Sequence, residues 1–161
     1  MFEKEIAASL YNCVYGELFD ANEYNDRIKL QKAAYLMEAI GVPCGEYSFI
    51  WYLHGPYSYA LDTVAFELQN VPIEEYSNLE FDDRTKDALN KVQAIISLKD
   101  GFTLESDYYW PETLASLHYL MHYRIPKSSK DEVIRFLVRT KPYLSDYGKM
   151  LETAYNTIRE L

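Results

Sequence analysis

This chain is short of nearly everything that marks a reactive centre. It has two cysteines, Cys13 and Cys44, with no spacing that suits a disulfide framework or a metal site. Both therefore read as reduced thiols, as expected of a cytoplasmic protein. The six glycines are scattered singly, which excludes a phosphate-cradling loop and a dinucleotide fingerprint, and no G-x-S-x-G elbow is present. No apolar run approaches the roughly 20 residues that a membrane span needs. Glu3, Lys4 and Glu5 stand where a signal peptide would begin its apolar run, so the expectation is a protein that is not secreted. Basic residues are scarce in one half only: residues 1–80 hold 4 Lys/Arg against 13 Asp/Glu, whereas residues 81–161 hold 12 of each. An acidic surface repels phosphate backbones, which disfavours nucleic acid as a partner of the first half.

What is plentiful is the aromatic ring. The chain of 161 residues carries 16 Tyr, 7 Phe and 2 Trp, within a hydrophobic share of 48% and a charged share of 25%. That balance belongs to a globular domain and not to a disordered chain. Tyrosine buries its ring while its hydroxyl keeps a partner, so such a composition suits semi-buried seams and interfaces.

Periodicity predicts a mainly α protein, a single domain over 1–161 of about seven helices with one or two short strands. The first helix is expected over Phe2–Phe19. Asn25 or Asp26 would cap the second, which runs to Ile40, stops at Gly41 and is apolar almost all round from Ala33 onward, the mark of a central helix. Alternating aromatics over Glu46–Leu53 predict a strand, paired with a segment near Glu80–Phe81 or Phe102–Leu104 and broken by Gly55-Pro56. Ser58 would cap a helix over Tyr59–Leu68. Further helices are expected over Asp82–Leu98, from Pro111 through Met121, from the Ser129 capping box to Thr140, and after a Ser145 cap.

No constellation reads as catalytic, so the chain is expected not to be an enzyme and to carry no cofactor. His118 and His122 share a helix face, the spacing at which a metal can bridge two imidazoles, but a third ligand is missing and no metal site is assigned. A histidine-dependent hydrolase built on His54 or on that pair is the least favoured reading. A winged-helix-like DNA-binding regulator is the alternative, on the order helix, helix, strand, turn, helix. Arg27, Lys29, Gln31 and Lys32 would then touch phosphate. The helix after Ser58 offers Asp62, Glu67 and Gln69 and no base-reading cation.

The most specific stretch is Lys29-Leu30-Gln31-Lys32, then Tyr35-Leu36, an aromatic strand and Gly55-Pro56-Tyr57-Ser58. Its spacing resembles the signature of the Panacea-type antitoxin domain, found in SocA-like proteins and in prophage-associated GepA-like proteins. The YwgA-like bacterial proteins share much of this pattern, and Tyr57, where Panacea members more often carry a small apolar residue, draws the chain toward them. The likeness is strongest over 27–68, and it extends through Glu112–Leu120 and Lys141-Pro142 in the C-terminal helical part, 108–161. It implies a helical intracellular domain that binds another protein and neutralises it by burying its surface, as in a toxin–antitoxin system with the toxin encoded nearby. It implies no catalysis.

Elementary packing gives several signature residues plain roles. Leu30 and Tyr35 fill the core, Gly55 and Pro56 make a tight turn, and Ser58 caps. Lys29, Gln31, Lys32, Tyr52, His54 and Tyr57 have no such duty, because cores do not call for polar side chains there. These six are the expected partner-binding residues. A second surface is expected from Tyr108, Tyr109 and Trp110: three consecutive rings cannot all face one core, so the cluster is a candidate homodimer interface.

Overall fold

The computed structural model describes residues 2–76 and 79–161. Seven α-helices account for most of them: α1 Phe2–Tyr15, α2 Tyr24–Ala39, α3 Tyr59–Glu67, α4 Asp83–Ser97, α5 Tyr109–Tyr119, α6 Lys130–Thr140 and α7 Gly148–Ile158. Two three-residue strands, β1 Ile50–Tyr52 and β2 Gly55–Tyr57, form the one small sheet among the described residues. None of the helices is long and apolar enough to cross a membrane.

Two helices form the axis of the molecule. The apolar run from Ala33 predicts a central helix, and in α2 every residue from Ile28 to Met37 is buried, Lys29, Gln31 and Lys32 included. The same holds for α5 from Tyr109 to His118. The two pack on each other; α1, α3 and α4 complete the shell around α2, and α6 and α7 the shell around α5. Trp110, Leu30, Leu36, Leu114 and Leu117, from these two helices, are among the side chains fully enclosed in the core.

Several boundaries differ from expectation, each for a local reason. The first helix ends at Tyr15 and not at Phe19, because Gly16 takes a left-handed φ of 74°. Phe19 then folds back, 1% exposed, to meet the Tyr11 ring edge-on. The second helix begins at Tyr24 with Glu23 at the cap position, where no side-chain cap forms. The expected caps are engaged elsewhere: Asp26 accepts from the Asp20 N–H at 2.9 Å, and Asn25 donates to Asp107 at 3.1 Å. Helix α5 starts two residues before Pro111, which its first turn accommodates because those N–H groups have no helical partner anyway. Ser145 closes a 3₁₀ turn on the Pro142 carbonyl instead of capping the last helix. Ser58 and the Ser129–Glu132 capping box act as expected, and Asp82, expected as the first residue of its helix, is its cap.

The strand pairing is the main correction. Neither Glu80–Phe81 nor Phe102–Leu104 reaches β1; the partner is β2, the Gly-Pro-Tyr segment that was expected to break the strand. The two run antiparallel, Ile50 opposite Tyr57 and Tyr52 opposite Gly55, joined by a turn of only Leu53 and His54. The rings at 108–110 also differ from expectation. Trp110 is fully buried, its ring tilted against Phe102 and its indole N–H on the Ile95 carbonyl at 3.0 Å; Tyr109 is 8% exposed, and Tyr108 half-buried. The helix start turns successive rings in different directions, and each finds cover within one chain.

Candidate functional site

A two-stranded ribbon leaves one row of backbone groups on each edge without a strand partner. Here side chains supply those partners. The Lys32 ammonium donates to the Pro56 carbonyl at 2.7 Å. Lys141 donates to the Tyr52 carbonyl at 3.1 Å and also to that of Leu53, its ammonium 4.8 Å from the Trp51 ring centre. Gln31 matches Ser58 group for group, its amide N–H to the Ser58 carbonyl and its oxygen to the Ser58 N–H, both at 2.9 Å. The hairpin is thus clamped onto α2 from below and held at its tip by a lysine at the end of α6.

Glu112 of α5, whose charge acts on both lysines, has no exposed surface at all. Its carboxylate accepts a short hydrogen bond from the Tyr143 hydroxyl and faces His54 Nδ1 at 3.3 Å. The other ring nitrogen of His54 meets the Tyr24 hydroxyl at 2.7 Å. Edge-on contacts from Tyr24, Tyr108 and Tyr143 hold the imidazole in place. Burial pushes the Lys32 ammonium down to about 7, a shift that Glu112 opposes and Lys141 adds to. Lys141 is lowered as well, chiefly by burial.

Above this polar floor opens a cavity of about 250 Å³ between α2, the hairpin and α3. Its rim is aromatic and exposed: Leu53 by 64%, Tyr24 by 50%, Tyr52 and Phe66 by 44%, with Tyr59 beside it at 61%. The rings of Tyr52, Tyr57 and Tyr59 lie against one another at 5.0 to 6.3 Å. Tyr57 donates to Asp62 at 2.6 Å, and the Arg27 guanidinium lies 5.0 Å from the Phe66 ring.

The six expected partner-binding residues therefore divide. Tyr52, His54 and Tyr57 line the cavity. Gln31 and Lys32 also border it, but as buried side chains holding the hairpin, 3% and 1% exposed. Lys29 lies apart. It is 2% exposed, paired with Glu17 at 2.9 Å and Asp107 at 3.0 Å, and packed on the rings of Tyr11 and Tyr15. Lys29 and Lys32, which the DNA-binding alternative would aim at phosphate, are both interior. Leu30, Tyr35 and Ser58 are buried as their packing and capping roles require, while Gly55 and Pro56 pair in β2. His118 and His122 stack at 4.2 Å, and Tyr35 holds His118 Nδ1 at 2.7 Å. No group of three residues suited to a metal occurs among the described residues.

Sequence reasoning gave no site role to Glu112, Lys141, Tyr143 or Tyr24, although the resemblance touches Glu112–Leu120 and Lys141-Pro142. One signal was present for Glu112: a lone carboxylate in a helix otherwise filled by Trp110, Leu114, Ala115 and Leu117 must find buried partners. Tyr143 carried no such mark, and Lys141 was noted only for the Lys141-Pro142 step; both approach the site only through the fold. Comparison with known proteins finds no family model, no curated protein and no solved structure that matches this chain.

Proposed function

We propose that this chain is a non-enzymatic, intracellular protein-binding domain of the antitoxin-like kind, which engages its partner on the cavity rim formed by Tyr24, Tyr52, Leu53, Tyr59 and Phe66. One observation carries the reading. Large apolar side chains that belong together in a core are instead exposed together around a preformed cavity, and such patches mark interaction sites. Tyrosine is also enriched where interfaces concentrate their binding energy. The resemblance over 27–68 points the same way. The acidic balance of residues 1–80 favours a partner whose apolar anchor is flanked by Lys and Arg. A toxic protein encoded nearby fits that description. A homodimer through residues 108–110 is no part of this reading, because those rings pack within one chain.

The test is neutralisation of a neighbouring toxic gene product by co-expression, combined with affinity capture, using the native chain and Leu53→Asp/Tyr59→Ala. Both substitutions are on exposed side chains and leave the core intact. The reading requires that the native chain silences and captures the partner and that the variant loses both. Equal neutralisation and capture by the folded variant sink it.

A further inference from the structure

Beyond its aromatic rim, the cavity borders a buried lysine, Lys32, whose charged form no carboxylate among the described residues pairs directly. Lys32 and Lys141 share the field of one carboxylate, Glu112, while on the cavity wall Arg27 donates to the Ala21 carbonyl and Asp62 accepts from Tyr57. Glu112 is already engaged by Tyr143 and His54. Lys141 uses two of its three donors on the carbonyls of Tyr52 and Leu53. Lys32 has three N–H groups and, among the described residues, one acceptor, the Pro56 carbonyl. Buried charges are ordinarily paired, and a buried ammonium with spare donors bordering an open cavity is a site for an anion.

The walls decide which anion. Tyr52, Tyr57, Phe66 and Ile28 are apolar surface, which suits a hydrophobic body carrying its charge at one end. A cavity of about 250 Å³ takes one large side chain and a carboxylate and little more. The exposed rim extends past it to Tyr59 and Leu53, so the occupant continues outward over the surface. We infer that the cavity receives the C-terminal residue of a partner protein, an aromatic or branched apolar side chain whose free α-carboxylate pairs with Lys32. This rests on the protein-binding reading above and names the part of the partner that enters the site.

Two peptides test it on the full chain: an N-acetylated Gly-Ser-Gly-Ser-Phe with a free C-terminal carboxylate, and the same peptide as its C-terminal amide. N-acetylphenylalanine is the third probe. Binding is read by calorimetry and by NMR shifts at Tyr52, His54 and Tyr57. The carboxylate peptide should bind at least about tenfold more tightly than the amide, the scale of one charge-assisted contact. Lys32→Gln, which keeps a donor for the Pro56 carbonyl, should erase that ratio. Equal binding of acid and amide overturns the inference on the native chain alone, whether or not the variant folds. A ratio that survives in folded Lys32→Gln removes Lys32 from the role. N-acetylphenylalanine binding as tightly as the peptide overturns the chain terminus in favour of a free aromatic acid. No binding of any probe at millimolar concentration, with partner capture still lost in Leu53→Asp/Tyr59→Ala, overturns the terminus while the protein-binding reading stands.

Discussion

Gly55 and Ser116 touch so closely that a Cβ built on the glycine would stand 2.2 Å from the serine hydroxyl oxygen. The hairpin tip therefore rests directly on α5, backbone against side chain. Gly55 also has a φ of 90°, so any other residue there is strained twice over. Ser116 Oγ is fully buried and is the only such side-chain atom without a hydrogen-bond partner among the described residues. Gly55→Ala should lower stability by about 2–4 kcal/mol, combining backbone strain with overpacking. Gly55→Ala/Ser116→Ala should recover part of that loss, since the hydroxyl clash goes and the φ strain stays. Urea denaturation of the native chain, both single variants and the double variant measures this coupling, and strict additivity of the two substitutions would refute the contact.

Gln31 does for Ser58 what a neighbouring strand would do, satisfying one N–H and one C=O with a single side-chain amide. Removing it strands two buried backbone groups. Gln31→Ala should cost about 2–4 kcal/mol, more than the roughly 1 kcal/mol expected of Ser58→Ala, which loses only the cap on the Leu61 N–H. Thermal unfolding compares the two. If Gln31→Ala is the milder change, water has replaced the amide and the site is less closed than its geometry implies.

The helices were legible because each carries its own instructions. Periodic apolar residues, the Ser58 cap and the Ser129–Glu132 box act within a few positions, so local chemistry decides them. The hairpin was not. Two-residue turns usually advertise themselves with Asn-Gly or Gly in a left-handed conformation, whereas neither Leu53 nor His54 has a positive φ. What secures this turn is Lys32, twenty-odd residues before it, and Lys141, far after it. The candidate site was half legible for the same reason. His54, Tyr52 and Tyr57 belong to the signature itself, but Glu112 and Tyr143 join them only in space. Lys29 and Lys32 were read as surface because lysine is almost never fully buried, and here both are, one paired with carboxylates and one with a carbonyl.

His118 gives the fold an acid limit. Burial and the stacked His122 hold its imidazole down at about 4, against 6.5 when exposed. The group is neutral in the fold at pH values where the unfolded chain would bind the proton. Its contribution is therefore fully present above about 6.5 and is lost as pH falls toward 4. The loss should reach up to about 3 kcal/mol. His118→Gln should be nearly as stable at pH 4.5 relative to pH 7 as its remaining carboxylates allow, so the difference between native chain and variant must narrow on acidification. A difference that stays constant from pH 7 to pH 4.5 in denaturant titrations rules out this titration.

Lys32 sets a tilt on the alkaline side. Its ammonium is held at about 7 in the fold and titrates near 10.5 when unfolded. Between those values the unfolded chain holds a proton that the native chain has shed, so stability must rise with pH, by at most about 1.4 kcal/mol per pH unit. Lys141, also lowered by burial, tilts the same way. Opposing groups enter later. The Cys44 thiol, pushed up to about 11 by burial, costs stability only above its ordinary value of 9.0, and the buried tyrosines act only above 10.0. The clean window is therefore about pH 7.5 to 8.5, where the native chain should grow more stable and Lys32→Gln should be flatter. Occupation of the cavity by a carboxylate should abolish the tilt too, because a paired ammonium keeps its proton in the fold. Urea unfolding of the native chain at three pH values across that window decides it: a flat or falling stability would mean that Lys32 stays charged while buried, with a counter-ion already beside it.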